Sequence, residues 1–190
     1  MTIVAIPNWN TLGFLPPIDQ VNPTSMQRSP YPVSLLAFVR RFATSPERVN
    51  IMLGFLDFRA LLHSLEICSG FQWLDGSFME QVEVLQLRAP RDIDVTTFLS
   101  YPATFDPKPE DIQALDHNTI KTKYQVDNYF VELDTIDAET LVAQTAYWYS
   151  VWSHTRNQAW KGFLQLDLAP TEDLLAKQWL LETMMPEKKL

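Results

Sequence analysis

Apolar residues recur at helical spacing over residues 46–67, where Val49, Met52, Leu53, Leu56, Ala60 and Leu61 form one stripe. The start of that helix is marked by Ser45 as cap, Pro46 at the first helical position and Glu47 against the helix dipole. A shorter helix is predicted over Val33–Ala43, opened by Pro32 and closed by Arg40 and Arg41. Period-2 patterning then takes over. Phe71–Leu74 reads as a strand running into a turn at Asp75-Gly76, and RDIDVTTFL (91–99) and YQVDNYFVEL (124–133) read as further strands. The connector over 79–91 reads as partly extended through Val82, Val84 and Leu87. A helix is predicted from Pro109 to Lys123, another from Ala138 to Ser153 capped by Asp137, and a last one to Met184 capped by Thr171. WKGFLQLDL (160–168) is a candidate fourth strand, and the tail EKKL is expected to fray.

Strands alternating with helices predict an α/β (α+β) architecture, a small mixed sheet with helices packed on one side and C-terminal helices walling a pocket. The 190 residues favour a single domain over 1–190. Residues 1–34, rich in Pro and Asn, form an irregular lead-in that packs on the body through Trp9, Phe14 and Leu15, and 137–190 form a C-terminal helical part. Five Gly against 13 Pro argue for stiff turns rather than a glycine-rich phosphate loop.

Charge and cysteine content narrow the function classes. A net charge of −8 disfavours long duplex nucleic acid, which is gripped through basic surface. A nucleotide or short strand held by a local metal site stays compatible with it. One cysteine, Cys68 beside Leu65 and Ile67, permits no intramolecular disulfide and no thiolate zinc site, and reads as a buried thiol. With no basic leader and no apolar run of membrane-spanning length, the expectation is a cytoplasmic protein without a membrane partner.

The candidate chemistry lies in the acids. Asp92 and Asp94, two apart on a strand, fall on one face about 6.6–6.8 Å apart, while Ile93 and Val95 turn into the core. Paired carboxylates on an apolar-backed strand suit Mg2+, with Mn2+ as an alternative, because hard ions want carboxylate and phosphate oxygens together. Two such ions can activate an attacking oxygen and steady a leaving pyrophosphate. Asp127 adds a third acid on a separate strand, and meets the others if the strands are neighbours, as metal ligand or general base. Gly76-Ser77 precedes them at a turn, where glycine allows close backbone approach to a phosphate and Ser77 adds a hydroxyl and an N–H.

Taken in order, WLDGSF followed by PRDIDVTTF resembles the Gly-Ser and Asp-x-Asp signature of the polymerase-beta-like nucleotidyltransferase superfamily. More narrowly, the chain is similar to a group of small bacterial nucleotidyltransferase-like proteins. The similarity runs through Ile6-Pro7, Gly13 with Leu15-Pro16-Pro17, Leu74–Phe78, Tyr124–Asp127, Thr155-Arg156 and Lys161-Gly162. Residues 78–91, between Ser77 and Asp92, are long for the superfamily and put the pocket rim in question. The resemblance implies a nucleotidyltransferase fold and transfer of a nucleotide from an NTP or dNTP to a hydroxyl with release of pyrophosphate. It further implies a setting in anti-phage defence or a toxin–antitoxin pair, with a short oligonucleotide or a partner effector protein as the second participant. The rival class is a non-catalytic, antitoxin-like module that binds a nucleotide or protein.

Arg156 and Lys161 flank a turn and are candidates for holding the triphosphate, against the plainer reading of a solvated helix end. Tyr147, Trp148, Tyr149 and Trp152 form an aromatic helix surface that reads mainly as core, with one ring free to stack on a base. His63 and His117 show no metal-ligand spacing with each other or with Cys68.

Overall fold

The longer helices begin where a short polar side chain accepts from a backbone N–H that the helix leaves free. In the computed structural model, which describes residues 2–184, Ser34 Oγ caps α1 (Leu35–Phe42) and Ser45 Oγ caps α2 (Pro46–Ser64), accepting from Ala37 N and Arg48 N. Two short helices, α3 (Val82–Leu85) and α4 (Pro109–Ala114), precede α5 (His117–Tyr124), whose cap is Asp116. Asp137 caps α6 (Ala138–Trp152), and α7 (Asp173–Trp179) runs into a π-helical turn at Leu180–Met184.

Several boundaries differ from the sequence reading. Pro32 lies in the short strand β1 (Tyr31–Pro32) rather than opening a helix. The span 109–123 is two helices, because Asp116 takes the N–H groups of Asn118 and Thr119 and restarts the chain there. Residues 82–85 are helical, not extended, and Thr171 does not cap α7, whose first residue follows Glu172. Ala60, expected in the buried stripe of α2, is exposed. The tail EKKL lies outside the described residues.

The remaining strands are β2 (Ser69–Asp75), β3 (Ile93–Ser100), β4 (Val126–Glu132) and β5 (Leu164–Asp167). They form one mixed five-stranded sheet in the order β1-β5-β2-β3-β4. β2 is antiparallel to both β3 and β5, whereas β3 and β4 run parallel, as do β1 and β5. A parallel pair needs a crossover, and α4 and α5 supply the one between β3 and β4.

Helices cover both faces rather than one. On the first face Leu74, Val95, Leu99, Val126, Leu164 and Leu166 meet Phe38, Phe55, Phe58 and Leu62 of α1 and α2, together with Ile120 of α5. Gly54 allows that closeness, since a Cβ there would lie 2.2 Å from the Tyr124 carbonyl oxygen. On the second face Trp73, Phe98, Val131 and Phe163 pack under α6 through Trp148, Tyr149 and Trp152. This α6 side carries the candidate chemistry.

The α2 side hides a chain of polar groups. Arg59, fully buried, forks onto Asp173 (2.7 and 2.9 Å) and donates to Gln72 Oε1 (2.7 Å). Gln72 Nε2 donates to Thr97 Oγ1 (3.1 Å), which donates to Asn128 Oδ1 (2.6 Å). One continuous series thus ties α7 to β2, β3 and β4. A second buried arginine, Arg48, forks onto Glu83 (2.5 and 3.0 Å) and donates to the carbonyls of Phe78 and Glu80, both 2.7 Å away. The connector after β2 is therefore anchored through its backbone to α2. Removing a buried, fully satisfied guanidinium strands its acceptors. Arg48→Ala is expected to lower stability by about 3–5 kcal/mol, measured by urea denaturation, and to speed proteolysis within 77–88. Arg48→Lys should recover only part of the loss, since an ammonium cannot reproduce the fork.

Candidate active site

Register decides which acids meet. Asp75 pairs with Asp94 across β2 and β3, and Asp94 pairs with Asp127 across β3 and β4. Directly opposed residues point to the same face, so three carboxylates stand side by side at one level of the sheet, on strands about 4.8 Å apart. Asp92, just before β3, lies near enough to Asp127 for one lysine to reach both. The sequence-predicted trio of Asp92, Asp94 and Asp127 is thus brought together. Asp75 joins it unforeseen, because Asp-Gly reads in sequence as a turn.

Crowding leaves a clear electrostatic mark. Burial raises the Asp94 carboxyl to about 7, and Asp75, Asp92 and Asp127 push it the same way. Burial also raises Asp75, to about 6, against the pull of Lys161. Two carboxylate oxygens, Asp75 Oδ1 and Asp127 Oδ1, are buried without a hydrogen-bond partner among the described residues. Such orphaned acceptors are costly and flank Asp94 on either side.

Gly76 makes the close approach possible. Its φ is +80°, and a Cβ there would sit 1.7 Å from Asp94 Oδ2, so any other residue would collide with the central acid. Ser77 begins a single 3-10 turn, Ser77–Met79, rather than a longer helix.

The basic residues divide by role. Lys161 is buried, with Nζ 2.9 Å from Asp75 Oδ2 and 3.0 Å from Glu80 Oε1. Burial pulls its pKa down, but the two carboxylates outweigh that and leave it above the usual lysine value. Its ammonium is thus engaged by two acids. Arg156 is exposed, in the turn closed by the His154–Trp160 bridge, and makes no ion pair among the described residues. Two further residues come from α5, one helical turn apart. Lys121 Nζ contacts Asp127 Oδ2 directly and lies 3.6 Å from Asp92 Oδ2. His117 Nδ1 lies 3.0 Å from the Asn128 carbonyl, which can only accept, so Nδ1 donates there and Nε2 faces Asp127 Oδ1 at 3.4 Å. His117 and Lys121 escaped the sequence reading because their partners lie on another element, although their i, i+4 spacing was visible.

Residues 7–167 match the model of a family described as a family of unknown function (DUF6932). The chain belongs to that family. The DUF6932 match takes in all five strands and every acid and base of this site, and ends at the last residue of β5, leaving out α7. No curated protein and no solved structure matches the chain. Among the described residues no helix is long and apolar enough to cross a membrane.

Whether the acids suit a divalent cation can be judged from their donors. All are carboxylate oxygens, the set preferred by Mg2+ or Mn2+, and Asp127 Oδ1 lacks a partner. As positioned, no group of three His, Cys, Asp or Glu among the described residues is arranged around a common ion. Lys121 stands between Asp92 and Asp127 with a side chain that is 44% exposed, free to swing into solvent. The donor set therefore fits, on condition that Lys121 withdraws.

Asp94 gives a pH test. Its folded pKa lies above its ordinary value of 3.8, so its contribution to stability is fully present below about pH 4 and is lost as pH rises through about 7. Asp94→Asn cannot ionise. It should match the parent at acid pH and exceed it by on the order of 2 kcal/mol above about pH 8, measured by denaturant titration across pH without added metal.

Proposed function

We propose that this chain is a metal-dependent nucleotidyltransferase of the polymerase-beta-like kind. It moves a nucleotide from an NTP or dNTP to a hydroxyl acceptor and releases pyrophosphate. The observation that carries the reading is the lateral register of β2, β3 and β4, which sets Asp94 between Asp75 and Asp127, with Asp92 alongside and the Gly76-Ser77 turn at the edge. Structural carboxylates are usually paired with cations or dispersed. A row whose central member is pushed to about 7 by its burial and its neighbours is a costly arrangement, of the sort found where charge is put to chemical use.

In the proposed step the acceptor oxygen forms a bond to the α-phosphorus. The bond from that phosphorus to the α–β bridging oxygen breaks, and pyrophosphate leaves with the electron pair. The acceptor proton passes to a carboxylate, for which Asp127 offers Oδ1, one of the two row oxygens without a hydrogen-bond partner among the described residues. Asp92, Asp94 and Asp127 would hold Mg2+ or Mn2+, which when bound offsets charge on the phosphoryl oxygens. Ser77, which opens the turn after Gly76, would offer its hydroxyl and N–H to the phosphates. Lys161 acts one shell back: paired to Asp75 and Glu80, it fixes the strand end and supplies positive charge beneath the row. Arg156, exposed and without an ion pair among the described residues, is the candidate cation for the triphosphate that is not already held by the acids. The setting proposed is bacterial anti-phage defence or a toxin–antitoxin pair, with a short oligonucleotide or a partner protein as acceptor.

One observation favours a second reading. Lys121 already bridges two of the acids, as it would in a binding module that keeps the fold without turnover. The two readings separate by incubating the protein with each ribo- and deoxyribonucleoside triphosphate, Mg2+ or Mn2+, and candidate hydroxyl acceptors, following pyrophosphate and product mass. Transfer is expected, and Asp92→Ala and Asp94→Ala should each reduce it about a hundredfold or more while the chain stays folded. Transfer that survives both substitutions would remove the acids from the mechanism. Absence of transfer with every triphosphate and acceptor would leave the binding module. Lys121→Ala should lower the Mg2+ concentration needed for half-maximal rate if the lysine competes with the ion.

A further inference from the structure

A run of aromatic rings leads away from the acids on the same side of the sheet. Asp127 and Tyr129 share one face of β4, two residues apart and so about 6.6–6.8 Å along the strand. The Tyr129 ring lies 5.1 Å from the His117 ring and 4.7 Å from Trp148. Trp148 stacks on Trp152 at 5.4 Å and 24°, and Trp152 is fixed by its indole N–H donating to Thr96 Oγ1 (2.8 Å). Tyr147 meets Trp148 edge-on at 5.1 Å. The inner rings are core, as their burial against Trp73 and Phe98 shows. The outer ones are not: Tyr147 is 60% exposed and Tyr129 38%.

Core packing accounts for Trp152 and most of Trp148, and Tyr129 interacts through its hydroxyl with Asp127, but neither accounts for the large Tyr147 ring left in water on the same side. From Val142 to Trp152 the side of α6 turned outward carries no charged residue, so little there competes for a flat apolar ligand or selects by charge. A phosphate chain lying at Asp94 and Asp127 would bring the attached nucleoside within reach of Tyr129, the next residue on that face.

Resting on the transferase reading, we infer that Tyr129 and Tyr147, backed by Trp148, form a stacking subsite for the nucleobase of the bound nucleotide. Recognition there is by ring face, since the outward side of α6 offers no charged side chain to read the base edge. The subsite therefore tolerates all four bases and ranks them by stacking strength, purines ahead of pyrimidines.

Fluorescence titration tests it, with Trp148 among the reporting indoles. ATP, GTP, CTP, UTP and inorganic tripolyphosphate are titrated with Mg2+ into the parent, Tyr129→Ala, Tyr147→Ala and Tyr147→Phe. In the parent, ATP and GTP should bind more tightly than CTP and UTP, with all four within about tenfold of one another. Each alanine variant should weaken ATP about tenfold and keep the parent's melting temperature within a few degrees, and Tyr147→Ala should leave tripolyphosphate unchanged. Tyr147→Phe should bind as the parent does. ATP affinity unchanged in both alanine variants would overturn the subsite while leaving transfer, if detected, intact. A parent that binds tripolyphosphate but gains nothing from any base would overturn it equally. Base-dependent binding without turnover would sustain the subsite and remove the transferase reading alone.

Discussion

The site depends on strand register, and register is held from the far side of the sheet. The buried series Arg59–Gln72–Thr97–Asn128 ties β2, β3 and β4 together on the α2 face. A slip of one residue would break these contacts and turn every side chain of the slipped strand to the opposite face. The same register sets Asp75, Asp94 and Asp127 abreast on the α6 face. Like charges at that spacing repel, so the acids alone would favour any displacement that separated them. The hydrogen-bonded polar chain behind them makes displacement costly, since Arg59, Gln72, Thr97 and Asn128 Oδ1 would lose their partners.

The two faces of the sheet therefore do opposite work. Behind it, Arg59, Gln72, Thr97 and the Asn128 side-chain oxygen are paired and rigidify. In front, carboxylates are left partly unpaired, with Asp75 Oδ1 and Asp127 Oδ1 lacking hydrogen-bond partners among the described residues and Asp94 raised by burial and its neighbours. The front acids are held between two lysines of different character. Lys161 is buried and fixed between Asp75 and Glu80, whereas Lys121 is a half-exposed side chain on a helix surface. A rigid cation on one flank and a removable one on the other leave the Asp92–Asp127 side as the part of the row whose charge balance can change.

Much of this was legible in the chain itself. The strands around Asp94 and Asp127 declare themselves by period-2 alternation, and the caps Ser45 and Asp137 do what their residue types favour. Three features were not legible, each for a physical reason. Asp75 sits in an Asp-Gly pair, which ordinarily signals a turn, and only pairing with β3 shows it to be the end of a strand. Residues 82–85 alternate Val, Glu, Val, Leu like a strand. They are helical in a connector whose backbone and Glu83 are held by Arg48, a contact 35 residues away. Lys161 follows a Trp in a polar turn and looks solvated, yet it is buried because Asp75 and Glu80 need it. The Asp116 signal that divides 109–123 into two helices was readable, but the continuous helical pattern overrode it.

The two flanks of the row also differ in how far the chain must travel to build them. Lys121 and Asp127 are six residues apart, on a helix and the strand that directly follows it. Lys161 and Glu80 are 81 residues apart and meet only once β5 has docked against β2. Closing a short loop costs far less chain entropy than closing a long one. The lysine that can leave the row is thus the one that assembles locally, and the lysine that cannot leave arrives with the last strand of the sheet.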